Sequence, residues 1–233
     1  MTAPATHLLA MHGWAGDQRA WQPWGELAAA RGWGFSSGER GYGQLPPQLP
    51  AWPTAAQRRI VLAHSLGPHL LPPALWQQAT AVVLLASFGR FVPAGREGRL
   101  LRSALRAMAE RLERGETVAM LRDFYRQAAA PHGPERLPAG PLEQGIGEAG
   151  RERLQADLDR LAHCSDLPEG FPTGVPVLLV EAADDQIVTA ASRALLREAL
   201  PDATVWTLPR AGHCLLEADL PAAVLDWIGD GQP

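Results

Sequence analysis

The chain of 233 residues contains no lysine, so all 21 of its positive charges are arginine. With its abundant alanine, proline, glycine and tryptophan, that reads as a coding bias and not as chemistry. Cysteine is almost absent as well. The pair Cys164 and Cys214 fits neither a disulfide framework nor a metal-ligand pattern, so a reducing cytoplasm is the expected home. The formal net charge of −4 gives no support for a nucleic-acid partner. No apolar run reaches the length of about 18 residues that a membrane helix needs, and Met1–Ala5 lacks the charged and apolar regions of a signal peptide. No membrane partner is expected, and no internal repeat is visible. The length suits one domain with a substantial core.

What is present is an alternation of strands and helices. His7–Met11 reads as a strand that breaks at His12-Gly13. Asp17 then caps a helical stretch to about Ala30, with Trp21, Trp24 and Leu27 at helical spacing. Gly34–Ser37 is a weaker strand, ending in the turn Arg40-Gly41-Tyr42-Gly43. A proline-rich loop leads to the apolar run Ile60-Val61-Leu62, and Ala81–Ala86 is continuously apolar, as a strand covered on both faces requires. From Arg90 to Phe171 the pattern is helical, interrupted by a Gly/Pro-rich stretch between Pro131 and Gly147. Strands resume at Val177–Val180 and Thr204–Leu208, and a helix from Pro221 to Ile228 follows. Strands separated by helices imply a parallel sheet with right-handed crossovers.

The most informative segment is Ala63-His64-Ser65-Leu66-Gly67, directly after the third strand. Small residues two before and two after the serine allow a strand to reverse into a helix and lift the hydroxyl into a site. A serine hydroxyl is a poor nucleophile until a base takes its proton, and that base needs a carboxylate to orient it. Asp184-Asp185-Gln186-Ile187-Val188 follows a later strand and Gly212-His213 follows the last, in the order Ser, Asp, His. Either aspartate could serve on this pattern. The backbone amides of Leu66, next to the serine, and of Trp14, after the first strand, are candidates to bind an oxyanion.

On these residues, together with Gly41-Tyr42-Gly43, the chain resembles the α/β-hydrolase superfamily over nearly its whole length. The resemblance implies an α/β fold with a mostly parallel sheet of about six strands. The core would comprise residues 1–89 and 172–233, and a helical lid residues 90–171. It implies Ser65 as nucleophile, His213 as base and Asp185 as its orienter, because Asp185-Gln186-Ile187-Val188 matches the family's setting for the acid; Asp184 then caps the turn. Three departures stand out. Only six residues precede His7, so the family's two leading strands are expected to be missing; Ala63 replaces the first elbow glycine, and Pro68, Pro72 and Pro73 require the helix after Ser65 to be short or broken near Leu71.

Within the superfamily the chain is similar to the pimeloyl-[acyl-carrier protein] methyl ester esterases of biotin synthesis. They share the compact size, a tryptophan after His-Gly and an arginine-bearing lid. The similarity implies a carboxylesterase with no metal or organic cofactor, working as a monomer on an acidic acyl-carrier protein. A short-chain esterase, a thioesterase or a non-catalytic binding protein are the alternatives. Between Arg90 and Arg126 nine arginines face five acids. Arg99, Arg102 and Arg106 share one helix face, opposite the apolar stripe Leu101, Leu105, Met108 and Leu112. Arg122 and Arg126 form a second pair. The arginines are either a solvated face or a docking patch for the carrier protein, and Trp14, Phe88, Phe124 and Tyr125 are expected to line an acyl pocket. His64 is the variable residue beside the nucleophile. His7, His69, His132 and His163 are expected to serve packing or the surface.

Overall fold

Alternate residues of the central strands face opposite layers, and both layers are buried and apolar. In the computed structural model, which describes residues 5–230, six strands form one sheet in the order β2-β1-β3-β4-β5-β6, every neighbouring pair parallel. Most of the N-terminal segment read for a leader lies outside the described residues.

In chain order the elements begin with β1 (Thr6–Met11), a 3₁₀ turn (Gln18–Trp21), α1 (Gln22–Ala30) and β2 (Gly34–Ser37). They continue with β3 (Arg58–His64), a second 3₁₀ turn (Gly67–Leu70), α2 (Pro73–Trp76) and β4 (Ala81–Leu85). Four helices follow: α3 (Gly95–Glu113), α4 (Thr117–Ala129), α5 (Pro141–Gln144) and α6 (Glu148–His163). The sheet resumes with β5 (Val177–Ala182), then α7 (Ala190–Ala199), β6 (Thr204–Leu208) and α8 (Leu220–Gly229).

Leu8, Ile60, Leu62, Val83 and Leu178 face a layer built from Trp21, Trp24, Val224, Leu225 and Ile228. Their neighbours Leu9, Val61, Val82, Leu84 and Leu179 face Leu71, Leu75, Trp76 and Leu196. This burial on both sides is why the strands read as unbroken apolar runs.

The helical stretch expected from Asp17 to Ala30 is divided. Asp17 caps only the 3₁₀ turn, its carboxylate accepting the Arg19 N–H at 2.9 Å. The α-helix restarts around Pro23, which has no N–H to continue the first turn. After Ser65 the prolines leave one 3₁₀ turn, an extended Leu71 and the four-residue α2.

The four helices between β4 and β5 share a third apolar cluster with the loops at the strand ends. Leu105, Leu112, Leu154, Leu158 and Leu161 meet Trp14, Leu66 and Val188 there. Leu105 and Leu112, from the apolar stripe read on α3, are buried, whereas Arg99, Arg102 and Arg106 are exposed.

Candidate active site

Ser65 ends β3 with φ +54°, the left-handed region that costs a non-glycine residue about 1–2 kcal/mol. Two hydrogen bonds hold it there. Its N–H donates to Leu85 O (2.9 Å), and the buried Ser87 hydroxyl donates to Ser65 O (2.7 Å). Close approach on either side of the serine explains two glycines. A Cβ on Gly13 would lie 2.7 Å from Ser65 Cβ, and one on Gly67 would collide with the Met11 carbonyl. The elbow is thereby seated against the end of β1. Ala63 lies within β3, fully buried.

An unbroken chain of hydrogen bonds runs from the serine. Ser65 Oγ lies 3.0 Å from His213 Nε2, and His213 Nδ1 lies 2.9 Å from Asp185 Oδ2. The other Asp185 oxygen accepts the N–H groups of Ile187 (2.7 Å) and Val188 (2.9 Å). Burial pushes the Asp185 carboxyl upward. His213 and the two amides outweigh that push and hold it below the usual carboxylate value, so it is ionised at neutral pH. Because Asp185 Oδ2 can only accept, His213 carries its proton on Nδ1 and presents a free Nε2 lone pair to the serine. Of the two competing aspartates, Asp185 makes this contact, while Asp184 is exposed.

His64 also contributes. Its Nε2–H donates to the backbone carbonyl of His213 at 2.9 Å, with the two rings 5.0 Å apart. Burial, reinforced by the charge His213 can carry, lowers its pKa from 6.5 to about 4. It therefore stays neutral and adds no second cation beside His213.

The loop after β1 approaches the serine closely through Gly13. Neither the Trp14 nor the Leu66 backbone N–H has an acceptor among the described residues, although both residues are buried. His12 Nδ1–H donates to Gly13 O (2.8 Å), and His12 Nε2 accepts the Arg40 N–H (3.1 Å). The Trp14 indole N–H donates to Leu154 O (3.0 Å), and its ring meets Phe124 edge-on at 4.8 Å.

Beside these groups lies a cavity of about 490 Å³, of the size that takes a small organic ligand. Its walls include His64, His213, Cys214 and Trp14, with Trp21, Trp24, Leu215 and Leu220 among the apolar groups. Arg122, Phe124, Tyr125 and Arg126 of α4 line it too. Arg126 is paired with Asp123 at 2.9 Å, whereas Arg122 has no acidic partner among the described residues. Phe88, expected in the acyl pocket, is absent from this lining. It is buried against His69, stacked at 5.3 Å, and against Phe91, because the chain after β4 turns beneath the helices instead of toward the cavity. Arg99, Arg102 and Arg106 lie outside the cavity as well. Cys214 is half-buried, and desolvation pushes its thiol pKa up to about 12, which disfavours the thiolate at neutral pH.

Several contributors escaped the sequence reading. Ser87 follows a strand with no motif around it. Asp157 of α6 did leave a sign, an acid set among Leu154, Leu158 and Leu161 on one helix face. Its side chain is wholly buried and receives Arg40 and Tyr42. No cluster of three metal-ligating side chains occurs among the described residues, and none of their helices is long and apolar enough to cross a membrane.

No family model and no curated protein matches this chain. Solved structures do. An esterase from Exiguobacterium antarcticum is similar with a TM-score of 0.71 at 14% identity, covering 97% of this chain and 93% of its own. An enol-lactonase from Burkholderia xenovorans LB400 gives 0.69 at 18% identity, with 97% and 92% covered. A bromoperoxidase from Bacillus anthracis gives 0.69 at 15% identity, with 98% and 93% covered. At such identities the likeness establishes the α/β-hydrolase fold.

Proposed function

We propose that this protein is a serine carboxylesterase. The observation that carries the reading is the continuous chain from Ser65 through His213 to the ionised Asp185, together with the backbone amides of Leu66 and Trp14, which have no acceptor among the described residues. As Ser65 Oγ attacks an ester carbonyl carbon, its proton passes to His213 Nε2, and Asp185 stabilises the imidazolium. The carbonyl oxygen becomes an oxyanion and accepts the Leu66 and Trp14 N–H groups. Collapse expels the alkoxide, which takes the proton from His213 and leaves as alcohol. A water deprotonated by His213 then attacks the acyl-Ser65 ester, and a second collapse returns the proton to Ser65 and releases the acid.

For substrate we assign the methyl ester of a pimeloyl chain on an acyl-carrier protein, hydrolysed in the cytoplasm with release of methanol. Three features support it: the family-like Trp14, the mainly apolar cavity with Arg122 in its wall, and the exposed Arg99, Arg102 and Arg106, which have no acidic partner among the described residues. Residues 90–171 would then act both as lid and as docking surface for the acidic carrier. A broad short-chain esterase or thioesterase is the second reading, because the Ser65–His213–Asp185 chain does not itself select the acyl group.

Hydrolysis of pimeloyl-carrier-protein methyl ester, run beside p-nitrophenyl esters of graded chain length, separates these readings. Ser65→Ala is expected to lower turnover of every cleaved substrate by on the order of 10⁴–10⁶. Fast cleavage of the small esters alone would remove the carrier substrate and leave the esterase. No Ser65-dependent turnover of any ester would remove the esterase itself.

A further inference from the structure

Helix α6 holds the turn after β2, and that turn hydrogen-bonds the loop after β1. Asp157, wholly buried on α6, accepts Arg40 Nε (2.6 Å) and the Tyr42 hydroxyl (2.7 Å) on one oxygen and Arg40 Nη2 (2.9 Å) on the other. The paired geometry fixes the Arg40 guanidinium in both position and plane. One turn earlier, Arg153 Nη1 donates to Gly41 O at 2.9 Å. One turn before that, Gly150 lies so close to the Tyr42 carbonyl that a Cβ would collide with it. The segment Arg40–Tyr42 is therefore clamped to α6 at three successive turns.

That segment holds His12. The Arg40 N–H donates into His12 Nε2, which leaves the ring proton on Nδ1, and Nδ1–H donates to Gly13 O. Gly13 O and the Trp14 N–H belong to one planar peptide group, so fixing the carbonyl fixes the direction of the amide. Gly16 N–H, at 3.2 Å, bonds the same carbonyl. The far end of the loop is also tied to the inserted helices: the Trp14 indole to Leu154 O of α6, and the Ala15 carbonyl to the Tyr125 hydroxyl of α4 (2.7 Å).

We propose that α6 aims the oxyanion-binding amide of Trp14, with Asp157 as a positioning residue acting through Arg40 and His12. The proposal rests on the esterase reading. It makes the inserted helices part of the machinery for transition-state binding: the hole for the oxyanion is complete only with α6 seated. An amide displaced by a fraction of an ångström still lets substrate bind, because the ground-state carbonyl needs little from it. The oxyanion does need it. The loss therefore falls on kcat and on tetrahedral analogues, not on KM.

Asp157→Asn keeps the side-chain volume and removes the charge that grips Arg40. With p-nitrophenyl acetate its kcat is expected to fall about 10- to 100-fold at nearly unchanged KM. Affinity for an alkyl trifluoromethyl ketone, whose Ser65 adduct carries an oxyanion, should fall by the same factor as kcat/KM. Tyr42→Phe removes one of the three donors and should show a smaller loss of the same kind, and it carries the test if Asp157→Asn does not fold. Arg197→Ala is the control: it breaks a partly buried pair with Glu181 that touches no site residue, so it lowers Tm and leaves kcat alone. Variants at Asp157 and Tyr42 that lose only Tm, with wild-type kcat and ketone affinity, would reduce α6 to a structural brace and overturn the proposal. A wild-type protein that neither turns over esters nor binds the ketone would instead remove the esterase reading, and this inference with it.

Discussion

The loops at the strand ends and the helices inserted between β4 and β5 serve one site in different ways. Ser65, Asp185 and His213 stand on the sheet, and their groups meet directly. The inserted helices send no side chain to Ser65 Oγ or His213 Nε2. They act through geometry, and unequally. Helix α6 buries Asp157, which holds Arg40, and accepts the Trp14 indole N–H on Leu154 O, whereas α3 turns Arg99, Arg102 and Arg106 to solvent with no acidic partner among the described residues. Charge count alone would rank α3 above α6. Burial reverses the order, since a charge held without water acts on its neighbours far more strongly than one screened by it.

The gradient from sheet loops to α6 to α3 breaks if the largest effect lies elsewhere. Asp185→Asn leaves the volume intact but removes the acceptor that fixes the His213 tautomer, and kcat should fall by about 10⁴-fold. Asp184→Asn, one residue away on an exposed side chain, should leave kcat unchanged. Steady-state kinetics on one chromogenic ester decides between them, and equal losses in both variants would undo the assignment of Asp185. Asp157→Asn belongs between these and any change on α3.

The legible parts of the molecule were those with a local cause. Burial on both faces wrote β3 and β4 as apolar runs, and prolines after Ser65 announced the broken helix. Order and spacing then brought Ser65, Asp185 and His213 together on three strand ends. What stayed hidden depends on contacts across long stretches of chain. Phe88 looked like a pocket residue because it is aromatic and near the elbow in sequence, but its direction is set by the way the chain turns after β4. The grip of Asp157 on Arg40 spans 117 residues, and no local pattern encodes it beyond an acid set among leucines. The αL backbone of Ser65 rests on Ser87, whose hydroxyl lacks any motif.

His64 sharpens the comparison from the sheet side. Its folded pKa, about 4 against an ordinary 6.5, means that the unfolded chain takes up a proton first as pH falls. Its contribution is thus fully present above about pH 6.5 and is lost progressively toward pH 4, a change on the order of 3 kcal/mol. The groups facing it are His213, Asp185 and His12: the two histidines oppose its protonation and Asp185 favours it. His7 and His69, also lowered by burial, give slopes of the same sign, so His64→Gln should flatten the dependence without abolishing it. Urea midpoints at pH 7 and 4.5 measure this. An unchanged slope in the variant would mean that His64 is hydrated and free to titrate.

The smallest effect belongs to α3. Replacing Arg99, Arg102 and Arg106 together by alanine removes three exposed cations that hold no acid, so stability should move by no more than about 0.5 kcal/mol per site. With p-nitrophenyl acetate, kcat and KM should match the wild type, because none of the three lines the cavity. Any change should be confined to a macromolecular acidic substrate. With pimeloyl-carrier-protein methyl ester, kcat/KM should fall through slower encounter, and the difference from wild type should shrink as salt rises. Loss of small-ester turnover in the triple variant would place α3 beside α6 as a positioning element. Equal kcat/KM on the carrier substrate at low salt would instead return the three arginines to an ordinary solvated face.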